Sequence, residues 1–230
     1  LVAHVFRSML GLMGDQERLS QVAEMLEVTS KQEKFKSAER YLYRLDEFAA
    51  GALLSVLETV TKREVRRMLC DKLASFGQAH IDDYVHRLGN PKANVVRDML
   101  YIIDKLQPGN KSRILARLLK HPNLALRLEA LKSIGDGSEM EASAYIMTAM
   151  KDSDAQVRAT AAMLLPNFDQ GVAKRTLIAA VKDPGFADKS DREQVAVYAG
   201  LAATDAPDAL HFFRDELQQT RQGLERVQAD

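Results

Sequence analysis

An aliphatic residue followed by arginine recurs through the middle of the chain at nearly constant intervals. The four arginines of these pairs lie 31, 30 and 31 residues apart. The pairs are Val65 with Arg66, Val96 with Arg97, Leu126 with Arg127 and Val157 with Arg158. Apolar residues follow each arginine at helical spacing. A fixed period of this length is typical of repeat proteins, in which every unit is one small supersecondary structure.

Short polar breaks provide a second landmark with the same period. The segments before these breaks end 31 residues apart, at Leu88, Leu119, Met150 and Val181. The pattern predicts two helices per unit, for example Lys111–Lys120 and Asn123–Ile134. Asparagine, aspartate or serine before the second helix suits an N-cap, and Pro91, Pro122 and Pro184 suit a first helical position. No segment alternates with period two, so no sheet is expected.

We therefore expect an all-α protein, an α-α superhelix of about six helical hairpins followed by a terminal helix. One hairpin covers only one of its apolar sides, so neighbouring hairpins must stack. The predicted domains are a partial repeat at residues 1–14, a repeat array at 15–203, and a capping helix with a frayed tail at 204–230. Because the chain begins at Leu1, we interpret it as a fragment of a longer protein.

The pattern Asp-x-x-Val-Arg-x-x-Ala-Ala at Asp154–Ala162 resembles the second helix of a HEAT repeat. The short period is similar to that of the phycobilin-lyase type of HEAT repeat. The resemblance extends over about Asp46–Leu217 and is looser before it. It implies a right-handed superhelix whose Val-Arg helices line the concave side. HEAT arrays serve many roles, so the resemblance indicates a fold more than a function.

The residue patterns favour no catalytic, metal or cofactor site. None of the five histidines belongs to a His-Glu-x-x-His motif, and no phosphate loop or nucleophile elbow occurs. Cys70 lies near Arg66 and Arg67, which could lower its pKa, but we expect a small buried residue. A single cysteine suits a reducing compartment, so a cytoplasmic location is expected. No apolar run approaches the roughly 20 residues that span a bilayer, so no membrane insertion is expected.

The recurring arginines Arg66, Arg97, Arg127 and Arg158 are predicted to form a structural ladder. One arginine per repeat can bind carboxylates or helix-end carbonyls of its neighbours. The partners available in the sequence are Asp71, Asp104, Asp136 and Asp152. An anion-binding ladder is the alternative interpretation.

Charge is distributed unevenly, although the chain as a whole is neutral. Residues 61–132 hold fifteen basic and seven acidic residues, whereas residues 133–230 hold ten and sixteen. The basic middle could bind an acidic segment of a partner protein, a nucleic-acid backbone, or the acidic end of another copy. Ordinary solvated helix faces would carry the same charges. Protein binding is favoured over nucleic acid because the chain has no tryptophan and few aromatic residues for stacking on bases.

These observations predict a non-enzymatic module that binds protein within a larger scaffold or regulatory protein. A nucleic-acid-binding solenoid is the alternative, and an enzyme such as a bilin lyase is the third interpretation. The Val-Arg helices of the middle repeats are the expected contact surface. The candidate contact residues lie off the apolar stripes of their helices and should be exposed: Arg63, Arg67, Asp98, Tyr101 and Lys132.

Overall fold

The computed structural model describes residues 14–137, 139, 141–204, 212–214 and 218. Within these residues the secondary structure is helical throughout, and no strand occurs. The expected partial repeat at 1–14 and the capping helix and tail at 204–230 fall almost entirely outside them. Contacts divide the chain into two compact units, Leu1–Lys111 and Ser112–Asp230.

The first unit holds three helical hairpins in its described part. Their first helices are α1 (Gln16–Val28), α3 (Ala50–Leu57) and α5 (Ile81–Arg87). Their second helices are α2 (Gln32–Tyr43), α4 (Arg63–Ser75) and α6 (Ala93–Leu106). Helix α4 packs against both α2 and α6, and α1 packs against α3. The three second helices therefore lie side by side, as expected for stacked hairpins. Their shared surface is called the second-helix face below.

The second unit is built in the same way. Its first helices are α7 (Lys111–Ala116, which begins at the division between the units), α9 (Ala142–Ala149) and α11 (Gln170–Val181). Its second helices are α8 (Leu124–Gly135), α10 (Ala155–Leu164) and α12 (Asp191–Ala202). Helix α10 packs between α8 and α12. Both units are thus all-α solenoids, which confirms the predicted fold class.

The aliphatic residue of each Val-Arg pair anchors its helix in the core. The side chains of Val65, Val96, Leu126 and Val157 are all 0% exposed. Fully burying an aliphatic side chain of this size contributes about 1.5–3 kcal/mol. The repeat seen in the sequence is therefore the repeat of the packed interior.

The N-caps of the second helices differ between the two units. In the second unit Asn123, Asp154 and Ser190 accept hydrogen bonds from first-turn N–H groups, as predicted. In the first unit the N-cap of α4 is Lys62, whose side chain makes no capping bond. Its backbone N–H donates instead to the Glu27 carboxylate at 2.7 Å. Lysine thus stands where the sequence predicts a polar acceptor.

The prediction for two prolines was wrong by about two residues. Pro91 and Pro122 directly precede the N-caps Lys92 and Asn123, so both prolines end the polar break and stand outside the helix. Pro184 does begin a helical turn, the 3₁₀ turn Pro184–Phe186. A proline favours an extended backbone in the residue before it, which keeps the polar break out of the helix.

The packing of α12 against α10 in the second unit depends on a glycine. A Cβ atom added to Gly200 of α12 would lie 2.3 Å from the backbone oxygen of Ala162 in α10. Only a residue without a side chain lets these two backbones approach so closely.

Candidate functional site

Arg66 is tied to the helices on both sides of it. Its guanidinium donates to the backbone oxygens of Leu57 (3.2 Å), the last residue of α3, and of Val60 (2.6 Å) in the break that follows. Its other terminal nitrogen forms an ion pair with Asp98 of α6. One side chain therefore satisfies helix-end carbonyls within its own hairpin and holds the next hairpin against it.

Two further ladder arginines make the same kind of link in the second unit. Arg127 binds both carboxylate oxygens of Asp152, at 2.9 and 3.1 Å. Arg158 binds both carboxylate oxygens of Glu193 in α12, each at 2.7 Å. Each arginine also donates to backbone oxygens in the break before its own helix. Two-pronged pairs of this geometry are among the stronger polar contacts in proteins.

The partners of Arg66 and Arg158 differ from those expected, whereas Arg127 binds Asp152, one of the expected residues. Arg66 contacts Asp98 in place of Asp71, and Arg158 contacts Glu193. Asp71 binds Lys105 at 2.6 Å, and Asp104 binds Lys111 at 3.0 Å. The partner carboxylates stand at unequal distances along the chain, so the period of the arginines carried no signal for them.

Four of the five candidate contact residues line one groove on the second-helix face. The groove runs between α4 and α6 and has a volume of about 1030 Å³. Arg63 and Arg67 lie on its α4 side, and Asp98 and Tyr101 lie on its α6 side. Lys132 is exposed on α8 of the second unit. The sequence interpretation therefore selected residues from two helices that the fold brings together.

The expected exposure was wrong for two of these four residues. The Asp98 side chain is 14% exposed because α6 packs against α4 and turns this position towards Arg66. Tyr101 is half-buried, with the Arg67 guanidinium 3.7 Å from the centre of its ring. An apolar stripe shows which residues face the hairpin's own core, but it does not show which ones face the neighbouring hairpin.

The groove has a basic character. Its charged lining consists of Arg63, Glu64, Arg66, Arg67, Arg97 and Asp98, four basic and two acidic residues. Arg66 and Asp98 neutralise each other. Arg63, Arg67 and Arg97 are exposed, and Arg67 also forms an ion pair at 3.7 Å with Asp71, which does not line the groove. The groove can therefore attract an anionic group.

The ion pair at the bottom of the groove titrates near neutrality. Burial raises the pKa of the Asp98 carboxyl to about 6, and the attraction of Arg66 opposes this rise. A carboxyl whose pKa is higher in the folded chain than in the unfolded one favours folding most when it is protonated. Its contribution is complete below the unfolded value near 4 and is lost as the pH rises through about 6.

We therefore expect Asp98→Asn to change how stability depends on pH. Between pH 7 and pH 4.5, the unfolding free energy of the natural chain should gain about 2 kcal/mol relative to the variant. Urea unfolding at the two pH values measures this difference. An equal pH dependence for the two proteins would show that Asp98 is ionised throughout this range.

Cys70 is buried, and burial raises the pKa of its thiol well above the usual range, opposite to the effect that nearby arginines could have had. Among the described residues, no group of histidine, cysteine, aspartate and glutamate could hold a metal ion. No helix in that part of the chain is both long and apolar enough to cross a bilayer.

Comparison with known proteins identifies the repeats. A family model described as HEAT repeats matches residues 112–199, which run from α7 into α12. Residues 112–199 are therefore HEAT repeats, and the predicted resemblance is confirmed over this segment. Arrays of this family are helical repeat scaffolds that commonly mediate protein interactions. A comparison with curated proteins found no match.

Proposed function

We propose that this chain is a protein-binding scaffold module whose contact surface is the groove between α4 and α6. The observation that carries the proposal is the excess of exposed arginines, Arg63, Arg67 and Arg97, along one open groove. The partner is a protein segment rich in aspartate and glutamate. Steering by such a patch raises the rate of association and selects against basic partners.

Polar and cation–π contacts hold the Tyr101 side chain in place. The Tyr101 hydroxyl donates to Asp71, and Lys105 binds the same carboxylate at 2.6 Å. Burial alone would raise the pKa of Asp71, but these hydrogen bonds and the charge of Arg67 lower it overall. The Arg67 guanidinium is thereby held over the ring before any partner binds. Preformed contact groups of this kind lose less conformational freedom on binding.

Several basic residues within 61–132 hold helix ends in place, so fewer of them remain as candidates for contact with a partner. The Lys62 side chain donates to the backbone oxygen of Thr29 at 2.6 Å, and the Lys92 side chain donates to the backbone oxygen of Glu58 at 3.3 Å. Arg87 binds the Glu58 carboxylate at 3.2 Å. These residues hold helix ends in place. Arg63 and Arg67, which are exposed along the α4–α6 groove, are therefore better candidates for contact than Lys62, Arg87 or Lys92.

Reversing one groove charge should weaken binding of an acidic peptide strongly. The probe is a fluorescein-labelled peptide of ten glutamates, and the measurement is fluorescence anisotropy at low salt. We expect Arg63→Glu to weaken binding at least tenfold, because it replaces an attraction to the acidic peptide by a repulsion. A tenfold change corresponds to about 1.4 kcal/mol of binding free energy. Arg63→Lys should keep most of the affinity because it keeps the charge.

Lys34→Glu is the matched control, since Lys34 is exposed on α2 and does not line the groove. It should change the affinity less than twofold. No binding at low salt, or equal losses for both charge reversals, would rule out the groove. Duplex DNA that bound more tightly than the peptide, with a steep dependence on salt, would favour the nucleic-acid alternative.

A further inference from the structure

A second groove lies beside the first on the second-helix face. It runs between α2 and α4 and has a volume of about 520 Å³. Phe35, Leu42, Tyr43 and Met68 supply its apolar lining. Tyr43 is 85% exposed at the end of α2. A large aromatic side chain that is left this open supports a role in contact with another molecule.

The charges of this second groove cancel. Its lining includes three basic residues and three acidic ones: Lys36, Glu39, Glu64, Arg67, Asp71 and Lys72. Two of them are also engaged elsewhere, because Lys72 donates to the Leu45 oxygen at 2.7 Å and Asp71 binds Lys105. The α2–α4 groove therefore differs from the α4–α6 groove in chemistry. One is neutral and apolar, and the other is basic.

The two grooves are parts of one surface. Glu64 and Arg67 of α4 line both of them. Packed helices have axes about 8–10 Å apart. An extended segment advances about 3.3 Å per residue, so one that crosses α4 reaches from one groove to the other in about three residues.

We infer that the partner segment is bipartite. Its acidic residues occupy the α4–α6 groove, and a large aromatic or aliphatic side chain about three residues away occupies the α2–α4 groove. This inference rests on the proposed function and specifies the class of its partner. The charge of one groove and the apolar lining of the next favour this combination over a segment that is acidic alone, which would occupy only the α4–α6 groove and bind more weakly.

Selection from a random twelve-residue peptide library on phage, with the 230-residue chain as bait, tests the inference. The enriched peptides should combine an acidic cluster with one large apolar residue two to five positions away. The tightest peptide is then synthesised and measured against Met68→Glu and Tyr43→Ser. Each variant should bind it at least tenfold more weakly. Replacing the apolar residue of the peptide by serine should weaken binding to the natural chain by the same factor. The same replacement should cause no further loss of affinity for the Met68→Glu variant.

Met163→Glu is the control, because Met163 is a 58% exposed methionine on α10 of the other unit. It should bind within twofold of the natural chain. Tyr43 is so exposed that its replacement leaves the fold intact, so the result does not depend on Met68→Glu folding. Acidic peptides without an apolar preference, or full affinity of both groove variants, would overturn the bipartite partner and leave the proposed function standing. Enrichment without acidic residues would overturn the proposed function itself.

Discussion

Glu193→Ala should lower the free energy of unfolding by about 3–5 kcal/mol, the usual cost of removing one partner from a buried ion pair. The Glu193 side chain is 3% exposed and binds Arg158 with both oxygens. Lys189 adds a third contact at 3.0 Å. The variant leaves the Arg158 guanidinium without the carboxylate that balances its charge. Since domains are stable by only about 5–15 kcal/mol, the loss is a large share of the total.

Lowering the pH should remove the stabilisation that the Glu193–Arg158 ion pair provides. The hydrogen bonds from Arg158 lower the pKa of Glu193, and burial opposes them. A carboxyl whose folded pKa is depressed stabilises the fold above its unfolded value near 4.3 and loses this effect as the pH falls through the lower folded value. The advantage of the natural chain over Glu193→Gln should therefore shrink in acid. Asp98, whose pKa is raised, should show the opposite trend.

Urea unfolding followed by circular dichroism measures both effects. Glu33→Ala is the control, since Glu33 also stands in the first turn of a helix but is exposed. It should cost no more than about 1 kcal/mol, the contribution of an exposed charge to the helix dipole. A loss below 1 kcal/mol for Glu193→Ala would contradict the structural role of the Arg158 pair.

Gly200→Ala should destabilise the second unit by about 3 kcal/mol, at the upper end of the range for overpacking. The new Cβ atom would lie 2.3 Å from the Ala162 oxygen and 3.3 Å from Leu177. A backbone oxygen inside a helix cannot rotate away, so α10 and α12 would have to move apart. That movement would also pull Glu193 away from Arg158, because these residues lie on the same two helices.

Two other glycines provide graded controls. Gly51 of α3 has open space where its Cβ atom would lie, so Gly51→Ala should stabilise the protein by about 0.5–1 kcal/mol. Gly135 would meet only the side chain of Leu164, at 2.7 Å, and this side chain can shift. Melting temperatures should therefore rank Gly51→Ala highest, Gly135→Ala between, and Gly200→Ala lowest. Equal melting temperatures for Gly51→Ala and Gly200→Ala would show that the close helix approach is absent.

The sequence predicted the hairpins well because their signal is local. The buried aliphatic residue before each arginine and the polar breaks both mark positions along a single helix pair. The N-caps Asn123, Asp154 and Ser190 are local in the same sense. Apolar spacing, capping residues and turn residues act within a few positions of the helix that they define. They can therefore be recognised in a single sequence.

The groove could be predicted only in part, since it depends on contacts between hairpins. The spacing of apolar residues placed Arg63 and Arg67 on an open face, and both are exposed. The same spacing gave no sign that Asp98 would be covered by Arg66, a residue 32 positions earlier. Phe35 and Met68, which line the second groove, were not singled out. Each belongs to an ordinary helical stripe, and only the stacking of α2 on α4 leaves the two in one depression.

The unequal placement of the ladder carboxylates limits how this array can be rearranged. The carboxylate bound by Arg66 stands within the next second helix, that of Arg127 lies in the break before it, and that of Arg158 lies in its first turn. A duplicated or transplanted hairpin would bring its arginine beside a neighbouring hairpin whose carboxylate stands at a different position along the helix or break. The hairpins share one fold, but their ion pairs match only the present order of neighbours. Gain or loss of a whole repeat would therefore require an acidic substitution nearby to restore the ion pair of the displaced arginine.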